Sequence, residues 1–126
     1  MYATGYRAEF AFVDQRQLNW NAERDCPGLY LHVFHPSYDT LFVAGLIQPD
    51  SGQFGLVHWQ MRAAARYARA ALTGHGSAER LRSRKRNPAD DLGGGVSYLD
   101  SPRHYFEVEH WSYQRKLQRW ARALAT

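Results

Sequence analysis

Histidines, a single cysteine and a run of arginines carry most of the reactive chemistry in this sequence. His32 and His35 stand three residues apart. On a strand and just past its end they would point to opposite faces, so they make a poor ligand pair. Cys26 is the only cysteine, which excludes an internal disulfide framework and any zinc-type spacing. No metal site is expected. Neither a G-x-S-x-G elbow nor a phosphate loop occurs. Gly93-Gly94-Gly95 lacks the strand-turn-helix setting of a dinucleotide loop and reads as a surface loop. Arg80, Arg82, Arg84, Lys85 and Arg86 form a basic cluster. A nucleic-acid patch would interleave aromatic rings for stacking. This stretch has none, and Asp90-Asp91 follow, which favours a solvated surface.

A more directed pattern lies upstream. Leu41–Ala44, apolar throughout, runs into Gly45; Gln48-Pro49-Asp50-Ser51-Gly52 makes a polar turn, and helical spacing begins near Phe54. In open α/β sheets, ligands sit beyond the carboxyl ends of the strands. Gly45 would let a ligand approach the backbone closely. The helix start would offer free N–H groups and a partial positive charge to an anionic group. The same residues also suit an ordinary βα connection.

The elements that must position these residues follow from periodicity. Leu29–Phe34, bounded by Pro27-Gly28 and His35-Pro36, reads as a strand. Leu41–Ile47 is apolar on both parities and reads as a strand buried on both faces, as in a helix-covered parallel sheet. A helix is expected over Phe54 to Leu72, with Val57, Met61, Ala64, Ala68 and Ala71 inward, Tyr67 and Leu72 beside them, and Gly74 as its stop. Arg62, Arg66 and Arg69 then form a solvated face. Residues 75–103 read as a surface excursion with one helical turn near Ala78–Leu81. Tyr105–Glu109 alternates as a half-exposed strand, and a last helix is capped by Ser112, with Tyr113, Leu117, Trp120 and Leu124 on one face.

With 126 residues, the chain is long enough for one domain. Apolar residues at 44% and charged residues at 22% fit a globular fold rather than disorder. Charge is uneven: residues 1–55 carry three bases against six acids, residues 56–126 thirteen against six. No apolar run reaches the roughly 18 residues of a membrane helix, and no signal peptide is visible, so a cytoplasmic location is expected.

These residues also resemble a family. Leu29–Pro36, then Leu41–Pro49, then Gln60 in the helix, look like the flavin-containing monooxygenases. Ala3-Thr4-Gly5-Tyr6 is similar to their ATGY motif, which connects the NADPH-binding and FAD-binding parts. Ser101-Pro102-Arg103-His104, Phe106-Glu107-Val108 and Tyr113 resemble the family's C-terminal tail. The matches keep the family's order over nearly the whole chain. The family's two G-x-G-x-x-G nucleotide loops precede ATGY and are missing here. The resemblance therefore implies an α/β fold, the C-terminal part of a Rossmann-like FAD-binding domain with a few strands and two main helices.

On that reading residues 1–126 form a single partial domain. Residues 1–28 hold the ATGY connection and a loop, 29–74 a strand-strand-helix unit, and 75–126 the basic excursion, a strand and the C-terminal helix. The resemblance implies FAD and NADPH as cofactors of the complete enzyme, oxygenation of a small nucleophile or a ketone, and an N-terminal partner chain. Neither cofactor is expected to bind this chain tightly by itself. Gly45, Gln48, Ser51, Gly52 and Phe54 become candidates to touch flavin, by position; Gln60 reads as a polar packing residue at the domain contact. The competing readings are a small basic nucleic-acid-binding module, using Arg80–Arg86 with Arg115, Lys116, Arg119 and Arg122, and an inactive remnant.

Overall fold

The computed structural model describes residues 9–88, 90–99, 101 and 104–125. The ATGY residues Ala3, Thr4, Gly5 and Tyr6, together with Pro102 and Arg103, lie outside the described residues. A short 3-10 turn at Gln15–Leu18 leads into an antiparallel pair, β1 (Trp20–Asn21) and β2 (Cys26–Pro27). Next come β3 (Gln48–Pro49), α1 (Phe54–Leu72), α2 (Gly76–Arg86), β4 (Glu107–Val108) and α3 (His110–Ala123). β3 and β4 pair in parallel, Gln48 opposite Glu107 and Pro49 opposite Val108. Each of these strands feeds a helix, so two βα units lie side by side, a mixed helix-and-sheet arrangement.

α1 and α3 form the frame. Gln60 meets Tyr113 near their starts, and Arg66 Nη1 donates to the Ala121 carbonyl (2.5 Å) further along. Contacts that advance in the same sense mean the helices run parallel. α1 spans Phe54–Leu72 as its spacing predicts, and Gly74, at φ 66°, adopts the left-handed stop that a side chain would strain. Its inward face is turned by about one residue from expectation. Leu56, Gln60, Ala63, Ala64, Tyr67 and Ala70 are buried, whereas Met61 and Leu72 are exposed. Alanines at the crossing let α3 come close; Tyr113, Leu117 and Ala121 fill the seam, and Leu124 closes the far end. Arg66 is thus a helix-to-helix tie rather than part of a solvated face.

Four expectations fail. Leu29–Phe34 is not a strand. Leu31 (φ 52°) and His32 (φ 53°) are the two central residues of a tight turn in which the Val33 N–H donates to the Tyr30 carbonyl. Tyr30 and Phe34 exchange two hydrogen bonds around it. Leu41–Ile47 is not a strand either. It touches the turn through a single bridge, Phe34 to Phe42; Phe42 and Ile47 pack into the core, whereas Leu41, Val43 and Leu46 are half-buried and Ala44 is exposed, so the segment is not covered on both faces. Gly76–Arg86 is a full helix of 11 residues, so three main helices replace two. Its inward side is Ser77, Ala78, Leu81 and Lys85. The last helix is capped by Glu109, whose carboxylate accepts from the N–H groups of Trp111 and Ser112, not by Ser112.

Candidate functional site

Two regions gather polar or unusual side chains. The first surrounds the start of α1. Gly45 sits at φ 79°. Its N–H donates to Gln60 Oε1 (2.9 Å), and its carbonyl accepts from Gln53 Nε2 (2.6 Å). Gln60 Nε2 donates to the Tyr113 hydroxyl (2.7 Å), which donates to the Leu31 carbonyl (2.6 Å). One buried relay therefore ties the 41–47 segment, α1, α3 and the Leu31–His32 turn together. Buried polar atoms need such partners, and burial pushes the Tyr113 hydroxyl's pKa well above its ordinary value. Gly45 serves by holding this geometry, with both backbone polar groups engaged internally. Gln60 is fully buried and serves as a polar packing residue within this relay.

Beyond Gly45 the chain turns outward. The Gln48 N–H donates to the Phe106 carbonyl (2.7 Å) within the strand pairing, and its side chain is exposed. Asp50 Oδ1 accepts from the His110 N–H (3.2 Å). His110 Nε2 lies 3.2 Å from Gln114 Oε1, and His110 Nδ1 lies 2.5 Å from the Ser51 hydroxyl, a hydrogen-bonded joint between the two helix starts. Gly52 is exposed, with open space where a Cβ would stand. Phe54 is 92% exposed, and Trp111 at the start of α3 is exposed as well. No side chain caps α1, because Gln53 reaches back to Gly45 instead, and no acid lies in its first turn. The α1 start therefore keeps its free N–H groups and partial positive charge, whereas α3 is answered by Glu109 and Asp50.

The second region is a cleft of about 490 Å³, walled by Asn19, Leu29, Tyr30, Leu31, Pro36, Lys85, Arg86, Pro88 and Tyr105, with His32 among its lining. His32 is 3% exposed. Its ring lies edge-on to Tyr105 (5.1 Å between centroids) and Phe106 (5.4 Å). Among the described residues it is the one buried side chain whose polar atoms, Nδ1 and Nε2, have no hydrogen-bond partner. Burial lowers its pKa to about 4, so the ring is neutral at pH 7. The turn that carries it is costly. Leu31 and His32 occupy left-handed positions that a two-residue turn normally gives to Asn and Gly, at about 1–3 kcal/mol each.

On the same cleft Lys85 is 2% exposed yet fully answered. Its ammonium donates to the Tyr38 carbonyl (2.8 Å) and Asp39 Oδ1 (2.8 Å) and lies over the Tyr67 ring. Arg82 and the Tyr67 hydroxyl also donate to Asp39. Burial alone would raise the Asp39 pKa, but these hydrogen bonds hold it well below the carboxylate range. Tyr30 donates to Asp90 Oδ2 (2.7 Å) and accepts from Trp120 Nε1 (3.0 Å); burial, then Asp90, push its pKa up to about 12. Arg84 pairs with Asp90. The basic cluster is therefore largely engaged in internal contacts, and its solvated reading is corrected for Lys85 and Arg82.

Cys26 is a buried thiol with its pKa raised by burial to about 11, which makes it a poor nucleophile. Among the described residues no three His, Cys, Asp or Glu side chains gather as a metal site, and no helix is long and apolar enough to cross a membrane. The sequence signal for His32 was a histidine inside an apolar stretch, which is equally common in ordinary cores. No protein-family model, curated protein or solved structure matches this chain.

Proposed function

We propose that this chain forms the C-terminal wall of a flavin-dependent monooxygenase, with the start of α1 turned toward the flavin. One observation carries the reading: α1 begins with uncapped backbone N–H groups beside a fully presented aromatic ring, Phe54, while its neighbour α3 is capped. A flavin has an electron-rich polar edge and an apolar ring face. The open donors suit the edge, and Phe54 suits the face. Gln48, Ser51 and Gly52 line the approach, and Gly45 fixes the segment that presents them. The order of motifs shared with the flavin-containing monooxygenases supports the same assignment.

FAD, when bound, carries electrons from NADPH to oxygen. One oxygen atom goes to a small nitrogen or sulfur nucleophile, or a ketone, and the other leaves as water. The chain's own part is to hold the flavin's polar edge with backbone donors, to favour the negative charge of its reduced form through the helix dipole, and to exclude water with Phe54. The G-x-G-x-x-G loops come from an N-terminal portion, so this chain alone holds FAD weakly. The test is a purified chain mixed with FAD and desalted. Flavin absorbance should be lost. Adding an N-terminal portion of a flavin-containing monooxygenase, cut at its ATGY segment, should retain flavin in proportion to this chain. Flavin retention independent of the chain would sink the proposal.

A further inference from the structure

The fold places aromatic rings among basic side chains that stand apart in the sequence. α2 and α3 carry nine Lys or Arg residues and one acid, Glu79. In α2, Arg82 and Lys85 turn to Asp39, whereas Arg84 lies on the side facing α3. There a cleft of about 260 Å³ is lined by Tyr30, Arg84, Asp90, Lys116, Arg119 and Trp120. Arg84 and Arg119 are exposed, which puts the mouth of the cleft on the surface. The half-buried Trp120 is fixed by its Nε1 donating to the Tyr30 hydroxyl (3.0 Å) and by packing on the core. Arg119 also belongs to a stripe on α3. Trp111, Arg115, Arg119 and Arg122, spaced by four, four and three residues, share one side of the helix and are all exposed. None of these residues belongs to the proposed flavin wall.

Charge on this face is unbalanced. Arg115, Arg119 and Arg122 make no hydrogen bond or ion pair among the described residues, although Arg115 is close enough to Glu109 to help lower its pKa. Lys116 spends one N–H on the Asp91 carbonyl, a neutral acceptor, and keeps its charge and its other donors. Arg84 meets Asp90 loosely, at 3.4 Å. The carboxylates nearby are already answered. Asp90 accepts from Tyr30 (2.7 Å), Asp91 from the N–H groups of Gly93 and Gly95, and Glu109 from those of Trp111 and Ser112. Five cations therefore face three carboxylates, and the free donors are on the cations.

A chain of phosphates with unstacked bases matches both features. Phosphates need cations with free N–H groups, and bases need rings to stack on. A duplex keeps its bases stacked inside. A membrane surface calls for apolar side chains among the cations, and the apolar face of α3, Tyr113, Leu117, Ala121 and Leu124, is buried in the core. We propose that this face binds single-stranded nucleic acid without sequence preference. Arg115, Lys116, Arg119 and Arg122 take the phosphates, one base enters the cleft against Trp120, and another stacks on Trp111.

Fluorescence anisotropy on the full chain without flavin tests this independently of the flavin reading. The labelled probes are single strands of about 12 nucleotides, oligothymidylate and an abasic strand with the same phosphates. A duplex of equal length and vesicles of anionic lipid serve as unlabelled competitors. Oligothymidylate should bind saturably, with log K falling against log salt at a slope of about −3 for the four phosphate-binding side chains. The abasic strand should bind at least about tenfold more weakly, and duplex and vesicles should compete less well than unlabelled oligothymidylate. The Trp120 indole N–H resonance should shift with oligothymidylate far more than with the abasic strand. Arg119→Ala and Trp111→Ala alter exposed side chains and so keep the fold. Arg119→Ala should reduce the slope by about 0.7. Trp111→Ala should weaken oligothymidylate about tenfold and leave the abasic strand unchanged. Absence of saturable binding, equal affinity for the two strands, a duplex or vesicles competing better than oligothymidylate, or an unaltered salt slope in Arg119→Ala would each overturn the proposal.

Discussion

The start of α1 and the cleft at His32 leave opposite things unfinished. At α1 the polar side chains are engaged with one another, through Gly45, Gln53, Gln60 and Tyr113, and what remains open is apolar surface and backbone N–H. At the cleft what remains unanswered is the buried imidazole of His32, neither of whose nitrogens has a hydrogen-bond partner. Water answers the free N–H groups at the α1 start, which therefore can stay exposed, although the Phe54 ring beside them gains by being covered. The unanswered imidazole costs folding energy, because a buried polar group has given up its water. The surrounding framework must be firm enough to hold it, and Lys85 with Asp39 on one side and the Tyr113 relay on the other supply that firmness.

The largest effect should come from removing that framework. Asp39→Ala leaves the Lys85 ammonium buried without its counter-charge and should cost about 3–5 kcal/mol in a denaturant melt. A loss below about 1 kcal/mol, the range of surface pairs, would mean that Lys85 escapes to solvent and does not hold this framework.

Proton linkage sharpens the comparison next. His32 has a folded pKa of about 4 against an unfolded value near 6.5. The unfolded chain therefore binds more protons between those values. Stability is fully present above about pH 6.5 and falls as the pH drops to about 4, by roughly 3 kcal/mol in all. His35, lowered by burial and then by Lys85, acts in the same direction. The difference between wild type and His32→Asn over this window isolates His32. Asp39, also lowered, gives up its contribution only below the ordinary carboxylate range near pH 4. A flat wild-type profile from pH 7 to 4 would show that His32 is not buried neutral.

The relay comes third. Tyr113→Phe keeps the ring but leaves the Leu31 carbonyl and Gln60 Nε2 unanswered, for about 1–3 kcal/mol. It should also relax the Leu31–His32 turn, seen as new chemical shifts there with the far ends of α1 and α3 unchanged. Smallest of all, Phe54→Ser at a fully presented position should alter stability by about 0.5 kcal/mol or less. Its effect should appear instead as reduced flavin retention once an N-terminal portion is present.

What the sequence disclosed follows from which forces are local. α1 was legible to its ends because apolar spacing and a terminal glycine act within the helix itself. α3 was legible on its buried face, though its cap is Glu109, just outside the periodic stretch. α2 was reduced to a single turn, since only Ala78 and Leu81 mark its inward side in apolar terms. The third anchor is Lys85, and only the tertiary fold reveals that Asp39 awaits it. The two expected strands failed because apolar runs do not say what covers them. Tyr30–Phe34 folds back on itself through positive φ at Leu31 and His32, a turn with none of the usual Asn-Gly chemistry. The candidate residues around Gly45 were found by their place after an apolar stretch. The unanswered His32 nitrogens could not be, because partnership is a property of the folded interior.

The most direct test of the proposed function is reconstitution. The chain is mixed with an N-terminal FAD- and NADPH-binding portion of a flavin-containing monooxygenase, ended at its ATGY segment, and oxygen uptake driven by NADPH is followed with flavin content measured on the same sample. The account predicts that flavin retention and NADPH-dependent oxygen uptake rise together with added chain, saturate at equal stoichiometry, and weaken with Phe54→Ser. Flavin content and oxygen uptake that stay level as the chain is added, while the N-terminal portion is folded and binds NADPH, would contradict it.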